Sequence, residues 1–168
     1  MIENWEGYLE HRSEASLDSP RENTGKGGYT IFAEMVRKNY GADFQGKSWC
    51  VTFLFAVHPG MIGKPCTGVI TLARRMIRHL RWRRKTYRPS RGDLVFLRNS
   101  RREVIGHAGI VLSSDETSVT SIEGNAVDPS GVFSPSEGGA VSIRARSRDD
   151  FRIVGYASMR GRMSIDDC

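Results

Sequence analysis

The chain has 168 residues, 39% hydrophobic and 26% charged, with 18 glycines and a formal net charge of +6. That length supports about one ordinary domain, so one unit over residues 1–168 is expected, and the composition excludes disordered and fibrous classes. Nowhere do about 18 apolar residues run together, which excludes a transmembrane segment.

Ile2, Trp5, Tyr8 and Leu9 recur at helical spacing and predict a short amphipathic helix over residues 2–12. The same stretch is acidic and lacks the basic start and apolar run of a secretory leader, which predicts synthesis in a cytoplasm without a signal peptide. Ser13 to Gly28 is polar, rich in Ser, Asn, Pro and Gly, and reads as a surface loop. Ile31, Phe32, Met35 and Val36 share one face of a predicted helix over Tyr29–Asn39, stopped by Asn39-Tyr40-Gly41. Ser48 then supplies a predicted N-cap for Trp49 to Val57, a run that ends at Pro59-Gly60. The run is apolar nearly all round, so as a helix it must be buried on most sides. Its Val, Thr and Phe also suit a strand, but cap and stop favour helix.

From Thr67 to Arg84, Val69, Leu72, Ala73, Met76, Ile77 and Leu80 form an apolar stripe and predict one helix with its arginines outward. Between Arg74 and Arg91 stand eight arginines and Lys85, with no acidic residue. Pro89 to Asp93 is a turn signal, and the chain then becomes strand-like over residues 94–98, 107–112, 118–123, 140–146 and 153–159. Turns at Asn99 to Arg102 and Ser113 to Glu116 suggest an antiparallel meander. The fold class is therefore α+β, with N-terminal helices packed on a C-terminal antiparallel β-sheet.

The three cysteines, Cys50, Cys66 and Cys168, cannot all pair within the chain and show no C-x-x-C spacing, so neither a disulfide scaffold nor a zinc site is expected. Cys50 opens the buried helix, where the dipole favours the thiolate that is the reactive form of cysteine. His107, in Gly106-His107-Ala108-Gly109-Ile110-Val111, is the best base, set at a strand's start among small residues that leave space for a substrate. Glu123 and Asn125 end the following strand on alternate positions, so both can point to one face and orient the imidazole.

These pieces resemble the cysteine, histidine-dependent amidohydrolase/peptidase (CHAP) family, within the papain-like, NlpC/P60-type cell-wall hydrolases. They stand in family order: Trp49-Cys50, Gly92-Asp93-Leu94-Val95-Phe96, Gly106-His107-Ala108-Gly109 and Ile122-Glu123-Gly124-Asn125. Glu22-Asn23 with Tyr29 upstream, and Gly138 to Val141 with Ile153 to Tyr156 downstream, resemble versions in phage and prophage lysins. The resemblance implies a papain-like CHAP fold in which Cys50 is nucleophile, His107 general base then acid, Glu123 its orienter and Asn125 an accessory polar group. It also implies an oxyanion hole of the Cys50 backbone N–H and a side chain from the preceding loop, for which Gln45 is the candidate.

The implied activity is cleavage of a peptidoglycan amide, as an N-acetylmuramoyl-L-alanine amidase or an endopeptidase. The protein would act on the wall after holin-type release or as part of a virion, as a monomer. No cofactor is expected. Nor is the calcium loop of some relatives, because Asp43 is the one carboxylate between Asn39 and Trp49.

Arg75, Arg78 and Arg81 read either as a solvated helix face or as a positive surface recruiting anionic wall polymer or lipid phosphate. Trp82 and Tyr87 could stack on bases, but no groove-reading motif supports specific nucleic-acid binding. His11, His58 and His79 are expected on surface loops or helix ends, Asp93 in a turn, and Cys66 and Cys168 without a chemical role. Two other readings stay open: a noncatalytic basic binding protein, and a papain-like hydrolase or acyltransferase acting on an intracellular amide.

Overall fold

The computed structural model describes residues 1–18, 27–58, 60–98, 104–127 and 138–160. Among them are three α-helices, α1 (Ile31–Tyr40), α2 (Cys50–Val57) and α3 (Val69–Arg78), followed by a six-stranded sheet. Its strands are β1 (Trp82–Arg84), β2 (Leu94–Arg98), β3 (Ile105–Ser114), β4 (Ser118–Ala126), β5 (Ala140–Ser147) and β6 (Ile153–Ala157). Helices come first and strands afterwards, the α+β order read from the sequence. Glu22, Asn23, the turn at Asn99 to Arg102 and Cys168 lie outside the described residues.

The sheet order is β1-β6-β2-β3-β4-β5, antiparallel throughout. The expected meander holds from β2 to β5, but β6 returns to the far side of β2. Beyond it, Trp82 to Arg84, expected to close the third helix, instead pair with Ala157, Tyr156 and Gly155. That helix stops at Arg78 because the chain reverses at Leu80, whose φ of 55° belongs to the left-handed region. Trp82 is then free to cover the strand beside it. It packs on Phe96 at 5.2 Å, over Gly155, where any Cβ would come within 2.6 Å of the indole.

The N-terminal segment also differs from expectation. Only Ile2–Trp5 is helical, a single 3-10 turn, and Leu9 and His11 instead bridge to Ala140 and Tyr29. Tyr8 and Trp5 still face inward, onto Phe32 at 4.8 and 5.1 Å, so the apolar spacing was a packing signal rather than a helical one. His11, expected at the surface, is 2% exposed because this bridge buries it.

Helix α1 begins at Thr30, whose hydroxyl accepts from Ala33 N–H at 3.1 Å, and ends at Gly41, with a φ of 69°. Helix α2 buries every residue from Cys50 to Phe55 against α1, β3 and β4, as its unbroken apolar run requires. Each fully buried Leu or Phe there contributes about 1.5–3 kcal/mol. Ser48 does not cap α2. Trp49 occupies that position without a side-chain cap, stacked on Phe32 at 5.7 Å, with its indole N–H donating to Glu10 at 2.7 Å.

The sheet carries apolar side chains on both faces. Leu94, Phe96, Ile110, Ile122 and Val141 belong to the main core with the helices, while Val95, Leu97, Val111, Val119, Ile153 and Tyr156 form a smaller cluster opposite. Gly124 governs how closely β4 approaches α2. A Cβ there would lie 2.5 Å from Phe53 Cβ and 2.9 Å from the Trp49 ring, so only glycine lets the strand press on the helix's first turn. This contact brings residue 123 beside the start of α2.

Candidate active site

Cys50 is the first residue of α2 and is 2% exposed. At that position its N–H has no intrahelical acceptor. His107 lies near the start of β3, with its side chain 23% exposed, and both residues line one cleft of about 530 Å³. The imidazole Nε2 is 3.1 Å from Glu123 Oε2 on β4, and the Cys50 thiol acts on the same ring from the helix end. A thiol, an imidazole and a carboxylate thus follow one another across a helix end and two adjacent strands.

The space beside His107 is used differently from the sequence-based reading. A Cβ at Gly109 would sit 2.6 Å from Glu123 Cγ, so this glycine makes room for the glutamate's own stem, not for a substrate. Glu123 is almost fully buried, and an ionised carboxylate there needs several partners. Ser121 Oγ donates to Oε1 at 2.6 Å, Arg146 donates to Oε2 at 3.0 Å, and a second Arg146 nitrogen pairs with Oε1. Burial opposes a charged Glu123, but His107 and Arg146 outweigh it and hold the carboxyl down at about 2. Burial likewise opposes a charged His107. The influence of Cys50 and Glu123 prevails and raises the ring to about 10, which favours the imidazolium.

Arg146 and Ser121 were missed in the sequence because they act through strand pairing. Ser121, Arg144 and Arg146 come together only once β4 and β5 align, with Ser121 opposite Arg144. The signal present was the alternation Ser142, Arg144, Arg146, which puts these residues on one face of a strand.

The remaining candidates are distributed as follows. Asn125 lines the cleft but makes no hydrogen bond to the imidazole. Its φ of 55° and the register shift after Glu123 break the expected alternation, and its Nδ2 donates to Ser48 Oγ at 3.1 Å. Gln45 does not line the cleft. Its amide is spent on Thr30, accepting from the backbone N–H at 2.9 Å and donating to the carbonyl at 3.0 Å. Asp43 accepts from the Gln45 N–H at 3.1 Å, and no group of three metal-ligating side chains occurs among the described residues.

The basic helix is less uniform than a solvated stripe. Arg78 is exposed, but Arg75 donates to the carbonyls of Ile62 and Lys64 at 2.9 and 2.7 Å and lies over the Phe55 ring at 5.9 Å. Arg81, beyond the helix, donates to Ser158 and Arg160 carbonyls at 3.4 and 3.1 Å. Arg75→Gln should therefore lower stability by about 0.5–1.5 kcal/mol through the lost bonds to the loop carbonyls. In urea titrations its midpoint should fall, while that of Arg78→Gln stays at the parent value.

A helix-opening cysteine sharing a cleft with a strand-borne, carboxylate-bound histidine defines a cysteine–histidine site on an α+β scaffold. The model of the CHAP domain matches residues 40–125, just over half of the chain and the span holding Cys50, His107, Glu123 and Asn125. The chain belongs to the CHAP family, whose domains are generally hydrolytic, amidases or peptidases with peptidoglycan as substrate. No protein of curated function matches it. Among solved structures, "The crystal structure of Ly7917" matches at 22% identity and a TM-score of 0.32, over 46% of this chain and 31% of that one. The chain thus spans less than a third of that protein's length, and the likeness carries no structural argument. No described helix is long and apolar enough to cross a membrane.

Proposed function

We propose that this protein hydrolyses an amide bond of bacterial peptidoglycan through a thioester on Cys50, as an N-acetylmuramoyl-L-alanine amidase or an endopeptidase of the phage or prophage lysin kind. The observation that carries the reading is the chain of contacts Cys50, His107, Glu123 and Arg146 within one open cleft. Cys50 Sγ would attack the carbonyl carbon while His107 holds the thiol's proton. The C–N bond then breaks as the imidazolium donates that proton to the leaving amine. Water, deprotonated by His107, hydrolyses the thioester and restores the thiol.

The N–H of Cys50, which has no intrahelical acceptor, would stabilise the oxyanion. Ser48 Oγ lines the same cleft and accepts from Asn125, so its own hydroxyl proton is available as the second donor that Gln45 cannot readily provide. Glu123 is the orienter of His107, and Asn125 an accessory group acting through Ser48. A purely recruiting role for the basic helix is disfavoured, because Arg75 and Arg81 are committed to backbone carbonyls of this chain.

The test is mass spectrometry of fragments released from purified peptidoglycan, with and without EDTA. New muramic acid carboxyl ends together with free L-alanine amines identify an amidase, new carboxyl and amine ends inside the stem or cross-bridge an endopeptidase, and EDTA should change neither yield. Intact wall after prolonged incubation would refute the proposal.

A further inference from the structure

Four arginines, Arg98, Arg144, Arg146 and Arg152, line the cleft that holds Cys50 and His107. Two are neutralised within the fold. Arg146 is paired with Glu123, and Arg152 makes three hydrogen bonds to the Asp150 carboxylate, at 2.6 to 3.1 Å. The other two have no counter-ion among the described residues. Arg144 donates to the neutral Val127 carbonyl at 2.8 Å, and Arg98 has a buried Nε with no hydrogen-bond partner. A shielded guanidinium N–H without an acceptor is costly, and its cost falls when a ligand supplies an oxygen. A planar guanidinium takes a carboxylate through two parallel N–H···O bonds, which an uncharged amide cannot reproduce.

Position ties this pair to the reaction centre. Arg98 follows Leu97, which pairs with His107 across β2 and β3, and Arg144 stands opposite Ser121, the donor to Glu123. Arg98 and Arg144 therefore lie on strands either side of the two that carry His107 and Glu123.

We propose that Arg98 and Arg144 form a carboxylate subsite, so that the cleft prefers peptidoglycan stems bearing a free carboxylate near the scissile amide over stems amidated there. This rests on the peptidoglycan reading above and adds a specificity to it. Neither arginine touches the reacting atoms. Both act on binding.

The experiment uses the inactive Cys50→Ala chain and two probes, the γ-methylamide of N-acetylmuramoyl-L-alanyl-D-glutamic acid and the same compound with its α-carboxylate also amidated, compared by titration calorimetry. The acid should bind about tenfold tighter than the amide. Adding Arg98→Gln and Arg144→Gln together should erase that preference while leaving amide affinity unchanged, which also shows that the variant folds. Lysine at both positions should restore part of the preference. Equal affinity for acid and amide, no affinity for either, or a preference that survives the double substitution would overturn the subsite. If the preference is found but the intact enzyme releases no wall fragments, the subsite stands and the hydrolase reading fails.

Discussion

Cys50→Ala should abolish fragment release from purified peptidoglycan, a loss on the order of 10⁶-fold, the scale seen when the nucleophile of a catalytic triad is removed. The expectation rests on position. Among the described residues Cys50 alone brings a sulfur to the cleft wall, at a helix end that favours negative charge, with His107 lining the same cleft. The fold should persist, because removing one sulfur from a 2% exposed site costs about 1 kcal/mol of cavity energy. Cys66 provides the control. It is half-buried, does not line the cleft, and burial pushes its thiol up, away from the reactive form. Cys66→Ser should digest wall at the parent rate. If Cys50→Ala did so as well, the thioester mechanism would be wrong, whatever the fate of the family assignment.

The local signals in the sequence led to the right elements where one segment decides its own structure. The stop at Gly41 ends α1 through its left-handed φ, although the helix starts after Thr30 and not at Tyr29, and the apolar run after Trp49, which also suited a strand, is a buried helix. What local signals could not supply was pairing. Trp82 to Arg84 continue a helical stripe in sequence, yet they become an edge strand because β6 offers a partner and Leu80 turns the chain toward it. Likewise Ile2, Trp5 and Tyr8 have helical spacing but need only one turn and a bridge to reach Phe32.

The site divides along the same line. Cys50 and His107 stand out in the sequence through local context, a helix start and a strand start, and the structure brings both to one cleft. Arg146 and Ser121 become meaningful only when β4 and β5 align, and Gly109 and Gly124 only when the neighbours their missing Cβ atoms would strike are known. The Gln45 expectation failed to find a cleft for the same reason: Thr30, distant in sequence, engages both ends of its amide.

His107→Ala should cost about 10²–10⁴-fold in turnover, since the thiol loses its proton acceptor and the leaving amine its donor. The pH dependence tests the role of Glu123 more finely. His107 is raised to about 10, so the acid form needed for amine departure is lost, and activity should fall, as pH rises through that value. Glu123→Gln removes one raising influence and should move this alkaline limb downward, toward the ordinary 6.5 of an imidazole. Stability should follow the same sign. Because the folded pKa lies above the unfolded one, the ring's contribution is fully present below 6.5 and is lost as pH rises through about 10. Glu123, held near 2, contributes above its ordinary 4.5 and loses that contribution as pH falls toward 2. Urea midpoints measured between pH 6 and about 10 should therefore decline for the parent protein and stay flatter for His107→Ala. An alkaline limb at the same pH in Glu123→Gln and parent would show that the carboxylate does not govern the imidazolium. Glu123 would then be a structural anchor for Arg146, and the orienting role would pass to another group.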